Sequence, residues 1–301
     1  MSKHSKWLLG LTFLYMCGVS AYMLSHRMWF SPDQFFLVAL LGMIFIGRAK
    51  MFIVDWLPFL LSYFSYEFLR GLVPFVSNHV HIWTMIRFDT WMFGAIPTIV
   101  LQRLFYTPSN LHWYDYVAVI LYICHFVTPM IVGFYFWLTD RKLFKEFSWA
   151  FVTLSYCALA IYILFPAMPP WMASGKGYLP PIQEVTGVVM SHFLPAPGAV
   201  PTIYAIMDGN PVAAMPSLHF ALPMLVFLFL LKKFKWKGVL FAPYVFGVGF
   251  AVIYLGEHYF MDVLAGGVLA CLVFLGVQRR TAIGALASKF WKRRVVVLPA
   301  V

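Results

Sequence analysis

Charge is what this chain has least of: Asp, Glu, Lys and Arg together make up 11% of its 301 residues. Soluble domains carry about 25%, so a water-facing globule is excluded. Acid is scarcer than base, 11 residues against 22. The bases fall in short clusters between apolar runs, which marks membrane topology rather than nucleic-acid binding. Cysteine is rare too. Cys17, Cys124, Cys157 and Cys271 all lie inside apolar runs without CxxC spacing, so neither a disulfide framework nor a cysteine-built metal site is expected. Internal repeats and low-complexity tracts are missing as well.

What fills the chain instead is apolar, at 62% with a mean hydropathy of +0.81. Hydrocarbon does not tolerate unpaired backbone groups, so long apolar runs without alternation must be helices. Windows of ~17–25 apolar residues give about eight spans, near 7–24, 33–47, 52–70, 115–138, 147–165, 214–231, 238–256 and 261–278. The expected fold is therefore all-α, a polytopic transmembrane helical bundle. Lys3 and Lys6 ahead of the first run imitate a signal peptide, but the run is long for one and is taken as an uncleaved span. Arg87, Asp89, Pro97, Gln102 and Arg103 interrupt 84–106, which is expected to be interfacial or re-entrant.

With the N-terminus inside, all but five of the 22 bases fall on the inner side; the five are Arg27, Arg70, Arg87, Arg103 and Lys176. That asymmetry puts both termini in the cytoplasm. The organisation expected is N-terminal transmembrane helices over 1–76, a core over 77–280 and a basic cytoplasmic tail over 281–301. The outer loop 166–213 carries nine prolines, from Pro166 to Pro211. Proline at that density forbids a regular span, so the loop is expected to cover the outer surface, with a short helix near 182–194.

Two motifs sit at helix mouths on that outer side: Pro216-Ser217-Leu218-His219 and His258-Tyr259-Phe260-Met261-Asp262. His258 and Asp262, four apart, share a helix face. The carboxylate can take the Nδ1 proton, leaving Nε2 as a nucleophile toward phosphorus. His219, on another helix, is placed to move protons to the departing oxygen and from the incoming one. The helix start at Pro216-Ser217 offers backbone N–H groups, and Ser217 a hydroxyl, for an anionic phosphate. A metal held by His219, His258 and Asp262 is a competing reading, as are a Ser217 protease and a transporter. The protease lacks a Gly-x-Ser elbow, and the transporter lacks paired, broken helices in two related halves. His125, on an apolar face, is read as a bonded core histidine. Asp55 and Glu67 are read as helix-packing groups or misplaced boundaries.

These motifs resemble the second and third signatures of the type 2 phosphatidic acid phosphatase (PAP2) superfamily. Pro-Ser-Leu-His, His-Tyr-Phe-x-Asp and the Pro169-Pro170-Trp171 segment look like its inositol phosphorylceramide synthase branch, as does Asp89-Thr90-Trp91-Met92-Phe93-Gly94 with Pro97-Thr98 and Leu101-Gln102. The resemblance runs from about 89 to 270. It implies a six-helix phosphotransferase core, a phosphohistidine on His258, no metal and no other cofactor, with membrane lipids as donor and acceptor. A phosphatase acting on lipid phosphates or polyprenyl pyrophosphates is the alternative within the class. The chain departs from the pattern where cations are expected: Ala251 and Val252 replace the Ser-Arg of the third motif, and the Lys and Arg-Pro of the first are missing around 165–171. The phosphate's positive partner is then sought among Lys176, Arg87 and Arg103. Asp89 and Gln102 either bind a polyol acceptor or satisfy a re-entrant turn.

Overall fold

The computed structural model describes residues 42–43, 47–76, 80–192 and 212–295. The expected spans 7–24 and most of 33–47, and the last part of the outer loop, lie outside the described residues. The helices in order are α1 (Ala49–Val76), α2 (Trp83–Phe93), α3 (Pro97–Phe105), α4 (Trp113–Thr139), α5 (Arg141–Leu164), α6 (Pro170–Gly175), α7 (Val185–Ser191), α8 (Leu218–Phe234), α9 (Ala242–Tyr254) and α10 (Phe260–Val295). The only extended pairing among the described residues is a pair of isolated bridges linking His81, Ala167 and Ala213.

Four stretches among them are long and apolar enough to cross a membrane: Trp113–Thr139, Arg141–Leu164, Leu218–Tyr254 and Phe260–Arg280. The third doubles back. A 3-10 turn at Lys235–Phe241 joins α8 to α9, and Lys235 takes a positive φ of 57°. The turn is tight because a Cβ on Gly238 would come within 2.7 Å of the Leu231 nitrogen. Helix α1 is 28 residues long, about 42 Å at 1.5 Å per residue, but Lys50, Asp55, Glu67 and Arg70 interrupt its sequence and it is not one of these four. The basic tail is no separate segment as far as Val295, because α10 continues through it.

Between α1 and α4, two short helices replace a span. Helix α2 stops where Gly94 adopts φ 73° and its N–H bonds the Thr90 carbonyl, the usual left-handed glycine stop. Helix α3 restarts with Pro97 in its first turn, where a missing N–H costs nothing. At 11 and 9 residues, neither can cross a hydrocarbon layer of about 30 Å.

Among apolar lipids there is little hydrophobic drive between helices, so close packing and buried polar bonds hold the bundle together. Phe52, Trp56 and Phe59 of α1 meet Phe136, Trp137, Phe144, Phe147 and Phe151 of α4 and α5 and Phe229 of α8. Their rings favour edge contacts, as between Phe147 and Phe229 at 5.3 Å and 84°. One end of the bundle is basic. There Asp55 pairs with Arg141 and accepts the Trp137 indole N–H at 2.8 Å, Lys232 bridges Glu146 and Gln278, and Lys233 meets Asp140 at 2.9 Å. Asp55 is thus a packing group. The opposite end carries both histidine motifs.

Candidate active site

The two motifs meet through backbone before they meet through side chains. The Ser217 N–H donates to the Asp262 carbonyl at 3.0 Å, joining the start of α8 to the first turn of α10. Gly266 makes the approach possible, since a Cβ there would lie 2.4 Å from the Ser217 oxygen. Tyr162 of α5 donates its hydroxyl to the Pro216 carbonyl at 2.9 Å and pins the same corner. The proline-rich segment closes around it: Ala167 N–H reaches Val212 O at 2.8 Å and Trp171 N–H reaches Gly256 O at 3.1 Å. Gly256 takes φ +87°, and a Cβ there would crowd the Gln183 carbonyl at 2.9 Å.

Within this frame His219 Nδ1 lies 2.8 Å from His258 Nε2. Tyr122 stacks on the His219 ring at 4.5 Å and 21°, and His125 packs against its side at 4.2 Å. His258 and Asp262 are buried, and His258 Nδ1 is 3.5 Å from Asp262 Oδ2. That separation exceeds an ordinary hydrogen bond, and the same oxygen accepts the Tyr259 N–H at 2.9 Å. The carboxylate therefore acts on the ring by charge at close range. With Nδ1–H turned toward Asp262, Nε2 is left as the acceptor of the proton on His219 Nδ1.

Both histidines open on a cavity of about 690 Å³ whose wall includes Tyr122, His125, Pro169, Trp171, Glu184, Thr186 and Glu257, together with Arg70 from α1. Burial raises the Glu184 carboxyl above its ordinary range. The Pro-Pro-Trp segment is thus part of the chamber. Among the described residues, no three His, Cys, Asp or Glu side chains converge as metal ligands.

The other expected site residues lie elsewhere. Arg87, Arg103 and Lys176 are exposed and do not line the cavity; they sit on α2, on α3 and at the end of α6. Asp89 is fully buried and accepts the N–H groups of Phe260 and Met261 at 2.9 and 3.1 Å. It anchors the start of α10. Gln102 donates to the carbonyls of Gln183 and Tyr254 and accepts the Gln183 N–H. Ser217 is buried outside the cavity wall, its N–H taken by Asp262 and its hydroxyl without a hydrogen-bond partner. Arg70, Tyr122 and Glu184 were not singled out by sequence reasoning. Only Arg70 gave a signal, as one of the five bases expected on the outer side.

A helical membrane bundle with paired histidines at one mouth defines a class, and the comparisons agree. Residues 83–276 match the PAP2 superfamily, and the chain belongs to it: it is an integral-membrane enzyme of the lipid phosphotransferase and phosphatase kind. It is similar to the phosphoinositol dihydroceramide synthase of Bacteroides thetaiotaomicron, 28% identical over 234 residues that cover 74% of this chain and 75% of that one. The inositol phosphorylceramide synthase catalytic subunit of Schizosaccharomyces pombe is 29% identical over 52% of this chain and 38% of its own length. The inositol phosphorylceramide synthase of Candida albicans is 26% identical over 50% and 33%. No solved structure matches.

Proposed function

We propose that the chain moves a phosphoinositol headgroup from a glycerophospholipid to the primary hydroxyl of a ceramide-type lipid, through a phosphohistidine on His258. The 2.8 Å contact between His219 Nδ1 and His258 Nε2 at the cavity wall is the observation that carries this reading, and the names of the relatives supply the headgroup and the acceptor.

His258 Nε2 attacks phosphorus while the phosphorus–oxygen bond to the diacylglycerol breaks. His219, as the imidazolium, gives its Nδ1 proton to that oxygen, releasing neutral diacylglycerol and leaving a neutral ring. The acceptor hydroxyl then attacks the phosphorus, its proton passes to His219 Nδ1, and the phosphorus–nitrogen bond breaks to restore His258. Asp262 stabilises the positive ring formed in the first step, a role its charge fills at 3.5 Å. Proton transfer of this kind contributes roughly 10²–10⁴-fold.

The site faces the non-cytoplasmic side in this reading. Its support is the separation of the two ends: both histidines at one, and Arg141, Lys232 and Lys233 at the other, where positive charge marks the cytoplasm.

Purified protein given headgroup-labelled phosphatidylinositol and a ceramide should yield labelled sphingolipid and diacylglycerol. Without acceptor it should carry an acid-labile label on His258, absent in His258→Ala. Release of free inositol phosphate or inorganic phosphate as the sole product overturns the transferase reading. Label on any other residue overturns the intermediate.

A further inference from the structure

We infer that Arg70 supplies the positive charge that holds the transferred phosphate, and that α1, upstream of the family match at 83–276, is therefore part of the active site. The inference rests on the phosphotransfer reading above and adds the cation that the sequence motifs leave out.

A phosphodiester gains negative charge as the nucleophile adds, and in a low-dielectric chamber that charge needs a fixed cation. The motif positions provide none: Ala251 and Val252 stand before His258, and both are buried in packing. Of the described residues lining the cavity, Arg70 is the one Lys or Arg, on the same wall system as His219 and His258. Arg70, His219 and His258 line the same chamber, which puts the guanidinium and the reacting nitrogens in one enclosed space.

The helix that carries it is firmly seated. Tyr63 and Phe59 of α1 pack on Phe151 of α5, and Tyr156 of α5 hydrogen-bonds Ser65 and the Ser62 carbonyl. Five to eleven residues later Arg70 reaches the chamber, with Tyr63 and Tyr66 beside it. A guanidinium presents a planar fork to two phosphate oxygens, which a lysine cannot copy.

The test compares full-length wild type with Arg70→Gln, Arg70→Lys and Arg70→Ala, alongside Arg87→Gln, Arg103→Gln and Lys176→Gln as exposed controls. Turnover per folded molecule should fall about 10²–10³-fold in Arg70→Gln, the loss typical of removing one donor to a developing oxyanion. It should fall less in Arg70→Lys and recover in part when guanidinium is added to Arg70→Ala. The controls should stay within threefold of wild type. Arg70→Gln turnover within threefold of wild type, or no guanidinium rescue of a folded Arg70→Ala, overturns the inference.

Binding of phosphonate analogues, with carbon in place of the scissile oxygen, separates this from the headgroup reading. Analogues of phosphatidylinositol and of phosphatidate share the phosphonate, so Arg70→Gln should weaken whichever one wild type binds. Equal binding by variant and wild type overturns the role of Arg70. Wild-type preference for the phosphatidate analogue overturns the headgroup and leaves Arg70 standing. If the Ala variant does not fold, Arg70→Gln and Arg70→Lys decide the matter through the same binding measurement.

Discussion

The Ser217 N–H donates to the Asp262 carbonyl at 3.0 Å. Through that bond the helix bearing His219 and the helix following His258 share one corner, so the distance between the two imidazoles depends on a backbone contact that neither histidine makes.

Gly266→Ala should therefore damage catalysis from a distance. Its Cβ would lie 2.4 Å from the Ser217 oxygen and 3.2 Å from its carbonyl carbon, and backbone cannot move aside as a side chain can. Parting the helices by even an ångström costs about 10²-fold when reacting groups must be aligned. Gly276→Ala, on the same helix with nothing within 4 Å, should behave as wild type. Turnover and detergent-solubilised melting temperature measured side by side check this; equal turnover for the two variants would sink it.

His219→Gln should slow transfer from a natural phospholipid by roughly 10²–10⁴-fold, because the departing alkoxide then leaves unprotonated. With an acyl-tailed nitrophenyl phosphodiester, whose leaving oxygen needs no proton, the loss in the first step should shrink to within tenfold. His258→Ala should abolish both. A His219→Gln penalty that is the same for the two leaving groups would remove the proton-donor role.

Asp89 makes stability depend on pH. Burial, opposed by the N–H groups of Phe260 and Met261 and aided by the charge of Asp262, raises its pKa from 3.8 to about 6. The folded chain thus holds this proton more tightly than the unfolded one. Its contribution is full below about pH 4 and is lost as pH rises through 6, amounting to at most about 3 kcal/mol. Asp89→Asn should flatten that part of the melting profile. The difference between wild-type and variant melting temperatures across pH 4–7 is the measurement, and a difference that does not vary with pH would refute the assignment.

The helical class and the meeting of His219 and His258 at one end of the bundle were legible because apolar runs and four-residue spacing are local signals. The spans 115–138, 147–165, 214–231, 238–256 and 261–278 fall on α4, α5, α8, α9 with its preceding turn, and α10. What escaped was tertiary. Asp89 and Gln102 look like ligand groups in a polar segment, yet each is consumed by backbone more than eighty residues away along the chain. Arg87, Arg103 and Lys176 carry the right charge, but only folding shows them exposed and away from the cavity. Arg70 was hidden for the converse reason. It sits in an apolar run that reads as an ordinary span, and nothing in the run tells which base will meet the histidines.

At 2.8 Å the rings of His219 and His258 touch, and a tetrahedral phosphorus with its oxygens does not fit between them. On the transfer proposed above, a phosphate that receives Nε2 while Nδ1 gives up its proton would have to part the two rings. The work for that comes from what the ligand gains elsewhere in the 690 Å³ chamber and along the surrounding hydrocarbon. In that same reading, tail-less phosphate esters would bring little such leverage and should be poor substrates.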